Sequence, residues 1–61
     1  MNKTNAYYAG YDAKKEEISG MGWQAARDKF NLDNPIGIQH QSKASEHYAA
    51  GGFQALLDSL P

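Results

Sequence analysis

The stretch Ser42–Leu60, SKASEHYAAGGFQALLDSL, decides how the rest of the chain is read. Ala49, Phe53, Leu56, Leu57 and Leu60 recur at helical spacing, Ser42 stands where an N-cap is wanted, and Leu60-Pro61 closes the run. The expectation is a last helix over 42–60 with one apolar face. Gly51 and Gly52 interrupt it and would together cost about 2 kcal/mol if exposed. An aromatic ring, Trp23 first among them, is therefore expected to cover these glycines, unless they mark a kink.

Working back toward the N-terminus, Asn31-Leu32-Asp33-Asn34-Pro35-Ile36-Gly37 reads as non-helical, because proline disfavours the helical conformation at Asn34 and Gly37 permits positive φ. A turn is expected over 31–41. Before it, Trp23, Ala26, Arg27 and Phe30 keep helical spacing and predict a short helix over 22–30. Ser19-Gly20-Met21-Gly22 reads as a break, with Ser19 able to cap a new helix. The first segment, 5–18, carries Tyr7, Tyr11 and Ile18 on one face, with Thr4 or Asn5 as cap. Gly10 inside it predicts close approach of another backbone. Lys14 and Lys15 precede Glu16 and Glu17, an order that slightly opposes the helix dipole. Tyr7, Tyr11, Lys14, Ile18, Met21 and Ala25 also keep a helical period, so the residues leave open whether 5–30 is two helices or one long bent one. Either way the fold class is all-α: one domain, a small bundle of two to three short helices with an extended Asn-Pro turn before the last.

Composition narrows the chemistry. At 61 residues and 6.7 kDa the chain forms one core at most. With no cysteine it has neither disulfides nor a thiolate metal site, and a reducing, cytoplasmic setting is the expectation. Six basic and seven acidic side chains give a formal charge of −1, so no general positive field draws it to nucleic acid or lipid. No apolar run approaches a membrane span, and Met1–Ala6 leads into tyrosines instead of a signal core. His40 and His47 are two ligands where a structural zinc site takes four. His47 beside Ser45 and Glu46 invites a triad, but neighbours on one helix point in different directions and do not converge. Gly20-Met21-Gly22 lacks the spacing and following lysine of a phosphate loop. The expectation is a non-enzyme with no cofactor and no metal.

Two binding surfaces remain. A chain folded back at Pro35 is expected to gather Arg27, Lys29 and Lys43 at one end, next to Trp23 and His40, as a small patch facing RNA or phosphate. The competing reading pairs Arg27 with nearby acids and leaves the lysines solvated. Alternatively, Tyr7, Tyr8, Tyr11, Trp23 and Phe53 anchor a protein interface or a homo-oligomer, since so many aromatics exceed what one small core hides.

Gly22-Trp23-Gln24-Ala25-Ala26-Arg27, then Asn34-Pro35, then Tyr48-Ala49-Ala50-Gly51-Gly52-Phe53-Gln54-Ala55 resembles the pattern of the ribosome modulation factor family and its phage- and plasmid-borne relatives. The match runs from Gly22 to Ala55. The resemblance implies two helices joined by an extended turn, here preceded by an extra helical segment. It further implies a regulator without catalysis that binds the ribosome or its RNA and modulates translation; the residues expected to bind are Trp23, Asn34, Pro35 and Phe53 of the matched stretches together with Arg27, Lys29, His40 and Lys43 of the basic patch. The alternative is a phage or mobile-element module that inhibits or redirects a host protein through the aromatic face of Tyr7, Tyr8 and Tyr11.

Overall fold

The computed structural model describes residues 4–35 and 43–61. Among them are three helices and no strand: α1 (Asn5–Met21), α2 (Trp23–Asp33) and α3 (Lys43–Asp58). Thr4 caps α1, its hydroxyl accepting from the Tyr7 N–H at 3.2 Å. The same hydroxyl lies 2.9 Å from Nδ1 of His47, so the cap also ties the start of α1 to α3.

The chain breaks between α1 and α2 at Gly22, not at Ser19. Gly20 is exposed and meets nothing, so its cost is only the roughly 1 kcal/mol of an open helical glycine, and α1 runs through it. Gly22 instead adopts φ 92°, a conformation other residues reach only with strain, and its N–H closes α1 by donating to the Ile18 carbonyl at 2.9 Å. Of the two arrangements the residues left open, the structure takes two helices. α2 then continues to Asp33, past the expected end at Phe30, because the restriction imposed by Pro35 falls on Asn34 alone. Asn34 ends the helix by bonding twice to the Phe30 carbonyl, through its backbone N–H at 3.0 Å and its side-chain amide at 2.8 Å. The expected Ser42 cap and most of the 31–41 turn lie outside the described residues.

The order of contacts gives the topology. Glu17 meets Lys29 and Lys14 meets Phe30, so α2 runs back along α1. Trp23 reaches Leu56 while Phe30 stacks near Phe53, so α3 runs back along α2. Thr4 pairs with His47 and Lys15 with Ser59, which sets α1 and α3 in the same direction.

That parallel pair approaches backbone to backbone. A Cβ on Gly10 would overlap the Tyr48 carbonyl, with the Tyr48 carbonyl carbon at 2.8 Å. A Cβ on Gly51 would overlap the Tyr7 carbonyl, with the Tyr11 amide nitrogen at 2.9 Å. Two glycines facing opposite helices thus let the axes close to a distance that any side chain would prevent. The close approach expected at Gly10 is present. The ring expected over Gly51 and Gly52 is not Trp23: Gly51 is covered by the backbone of α1, and a Cβ on Gly52 would lie 3.5 Å from the Phe30 ring and 3.6 Å from the Lys14 side chain.

Alongside this seam the interior mixes alanines with a few larger side chains. The buried apolar residues are Tyr7, Ala26, Phe30, Ala49, Ala55 and Leu56, and no large side chain is fully enclosed among the described residues. Ile18 and Trp23 pack against this core from its edge.

Candidate functional site

The apolar face expected on α3 is divided by the seam. Ala49 and Leu56 turn inward, whereas Phe53, Leu57 and Leu60 are 45%, 45% and 59% exposed. Phe53 and Leu57, spaced i and i+4, stand on one side of the helix, and Leu60 follows beyond its end, which falls at Asp58 and not at the expected Leu60. Trp23 widens this surface from α2. Its indole N–H donates to the Leu56 carbonyl at 2.8 Å, which satisfies the ring's one polar atom and leaves the indole half-buried. Arg27 lies over the Trp23 ring, its guanidinium carbon 5.7 Å from the ring centroid, and also holds Asp28 at 3.2 Å. Phe53 rests against Phe30 with centroids 6.0 Å apart, so the exposed phenylalanine is fixed by a buried one. The resulting surface is apolar, with an aromatic-bound arginine at its edge.

A second feature is ionic. Lys14 is buried, its ammonium 2.8 Å from Glu17 and 5.5 Å from the Phe30 ring centroid. Glu17 takes Lys29 on its other oxygen at 2.9 Å, and Lys29 extends toward Asp33 at 4.0 Å. The Lys14 and Lys29 hydrogen bonds hold the Glu17 carboxyl below its ordinary range, the Lys14 bond contributing most. The Glu17 carboxylate in turn raises Lys29. Within the lysine-before-glutamate order of α1, Glu17 answers Lys29 of α2 across the interface as well as Lys14 of its own helix. These charges line an open cleft of about 380 Å³ that also includes Gly10, Tyr48 and Gly52.

Tyr7, Tyr8, Tyr11, Asp12, Gln54 and Asp58 line a shallow groove between α1 and α3. The Tyr11 hydroxyl donates to Asp58 at 2.6 Å, and that bond is the main reason its phenol is raised above 10.0.

The residues named from the sequence are distributed as follows. Trp23 and Phe53 share the α2–α3 unit, and Asn34 serves as the α2 cap, followed by exposed Pro35. His40 and the side chain of Lys43 lie outside the described residues. Arg27 and Lys29 do not cluster. Two residues apart on a helix they point about 200° from one another, and each meets a carboxylate of its own, Asp28 for one and Glu17 for the other. The three tyrosines named as a face do border one groove, where Tyr7 is buried with its ring edge-on to Tyr8 at 5.8 Å, Tyr11 is held by Asp58, and Tyr8 is the most open of the three. Sequence reasoning missed Leu57 and Leu60 as surface residues. The available signal was Leu56-Leu57 itself, since adjacent helical residues lie about 100° apart and cannot both face one narrow seam.

Among the described residues no group of three His, Asp or Glu side chains gathers to hold a metal ion, and no helix is long and apolar enough to cross a membrane. In comparisons with known proteins, no family model matches the chain, and no curated protein or solved structure matches it.

Proposed function

We propose that the chain is a small non-catalytic binding protein whose contact surface is the outer side of the α2–α3 unit, formed by Phe53, Leu57 and Leu60 with Trp23 and Arg27 beside them. One observation carries this reading: α3 turns Ala49, Gly51, Gly52, Ala55 and Leu56 inward but leaves Phe53 and Leu57 exposed, with Leu60 exposed just beyond its end. A helix whose only task was to close the core would bury these large apolar side chains as well. Aromatic and aliphatic side chains with an arginine at the margin are the composition of an interface centre. The cations favour a protein over RNA as the partner. Lys14, Arg27 and Lys29 already hold carboxylates, so phosphate contacts through them require those ion pairs to break.

The test is affinity capture with the intact protein, Leu57→Glu and Leu32→Glu as baits. Leu32 is 80% exposed on α2 and supplies a matched change elsewhere. A partner retained by the wild type and by Leu32→Glu but lost from Leu57→Glu is the expected result. Equal capture by all three contradicts the assignment of the face.

The resemblance to the ribosome modulation factor family supports a second reading, in which that partner is the ribosome and the outcome is altered translation. The two aromatics of the family pattern, Trp23 and Phe53, stand on the same α2–α3 unit as the proposed surface. Co-sedimentation with ribosomes at low and high salt checks it. Binding that survives high salt and is lost in Leu57→Glu fits an apolar contact with a ribosomal protein, and binding that grows only as salt falls fits RNA. A protein that stays in the supernatant at low salt rejects the ribosome reading.

A further inference from the structure

We infer that the groove between α1 and α3 receives an arginine side chain from a basic segment of a partner protein, the guanidinium stacking on the Tyr8 ring and pairing with the Asp12 carboxylate. The groove shares no residue with the surface proposed above, so this inference stands apart from that reading.

The first argument is what lines the groove. Three tyrosines, Gln54 and two aspartates surround about 510 Å³ of open space, with no cation among them. Aromatic walls and carboxylates together are the complement of a side chain that is flat and positively charged. The Asp58 carboxylate accepts from the Tyr11 hydroxyl at 2.6 Å and from the Gln54 amide at 2.8 Å. Both donors are neutral, so they hold the carboxylate in place without themselves cancelling its charge. The bond to Asp58, and to a lesser degree the Asp58 and Asp12 charges, raise the Tyr11 phenol, as a negative field in the groove requires.

The second argument is the pair that stands open. Tyr8 and Asp12 lie one turn apart on α1, at the i, i+4 spacing that makes helical side chains neighbours. Tyr8 is 52% exposed, and its contact with Tyr7 is edge to face, so Tyr7 leaves at least one face of the Tyr8 ring uncovered. Asp12 is exposed and has no hydrogen-bond or ion-pair partner among the described residues.

The third argument comes from α2. There the Arg27 guanidinium lies 5.7 Å from the Trp23 ring centroid and meets Asp28 at 3.2 Å, a closed trio of ring, arginine and carboxylate. Tyr8 and Asp12 are the same trio without its arginine. Among the described residues no cation of the chain fills the place: Lys14 and Lys29 hold Glu17, and Lys15, one turn beyond Asp12, donates to Ser59 at 3.2 Å. Arginine suits the place better than lysine, because its planar fork stacks and pairs at once while an ammonium is a more strongly hydrated point charge.

Two-dimensional NMR of the full chain, titrated at low salt with a blocked glycine–arginine pentapeptide, reads the contact directly. The Tyr8 and Asp12 signals are expected to shift with half-saturation in the low millimolar range, and the binding to weaken as salt rises. The citrulline counterpart, which keeps the shape and loses the charge, should leave them in place, and the lysine counterpart should bind about threefold more weakly. Asp12→Asn and Tyr8→Leu should each weaken the arginine peptide about threefold, with helical circular dichroism unchanged because both positions are exposed. Tyr8 signals that do not move at about 10 mM peptide, an equal response to the citrulline peptide, tighter binding of the lysine peptide, or indifference to Asp12→Asn each overturns the inference. Leu57→Glu should bind the peptide as wild type does. A chain that captures a partner through Leu57 and ignores the peptide rejects this inference alone, so its failure is distinguishable from failure of the reading above.

Discussion

The two sides of α3 obey opposite rules. Inward, toward α1, Gly51 and Ala55 bring backbones together and a single added methyl group has nowhere to go. Outward, Phe53, Leu57 and Leu60 occupy open space. One helix therefore contains both a position that admits no side chain and positions where large ones stand exposed. The contrast shows that close approach, more than side-chain bulk, organises this core. Bulky residues excluded by such a seam become available for contacts beyond the chain.

Glycine-to-alanine changes separate the two regimes most sharply. Gly51→Ala and Gly10→Ala should each destabilise the fold by about 2 kcal/mol or more, since the new Cβ meets backbone that cannot step aside. The helix-propensity gain of about 1 kcal/mol does not offset this, and in so small a domain either change removes most of the stability. Chemical denaturation monitored by circular dichroism measures it. A stability unchanged from wild type would show that the helices are farther apart than described.

Glu17→Gln comes next. It leaves the buried Lys14 ammonium without its anion and removes the anchor for Lys29, at a cost of about 1–2 kcal/mol. The pH dependence has a definite sign. Glu17 titrates lower in the folded chain than its ordinary value of 4.5, so its contribution is complete above that value and is lost as pH falls through the folded pKa. Denaturation midpoints measured between neutral pH and about pH 3 should drop less for Glu17→Gln than for wild type.

At the gentle end, Gly20→Ala should stabilise the protein by about 0.5–1 kcal/mol, because the position is helical, exposed and empty around its missing side chain. Gly22→Ala should lose about 1 kcal/mol despite equally open surroundings, since φ 92° strains any residue with a Cβ. Melting temperatures moving in opposite directions for these near neighbours would separate backbone conformation from packing.

Much of the helical architecture is readable before any coordinates. Spacing places each helix, and Gly10 announces a close neighbour. What spacing does not reveal is which neighbour. Gly51 and Gly52 read as one site awaiting a ring, yet one faces the α1 backbone and the other the Phe30 ring, because successive helical positions point about 100° apart. Arg27 and Lys29 look close along the chain and diverge around the helix for the same reason. Ala49, Phe53, Leu56, Leu57 and Leu60 form a single apolar face in sequence. Only the narrowness of a glycine-lined seam decides that Ala49 and Leu56 belong inside while the other three remain outside. Trp23 was legible as an apolar anchor, but its bond to the Leu56 carbonyl depends on the return path of α2, which no local pattern encodes.

The most direct measurement of this division is the folding stability of the double variant Leu57→Glu, Leu60→Ser, set beside Gly51→Ala in the same denaturation experiment. The double variant should stay within about 1 kcal/mol of wild type, as expected of exposed positions, while the glycine variant loses its cooperative transition. If the double variant unfolds and Gly51→Ala does not, the large side chains of α3 belong to the core and the proposed contact surface does not exist.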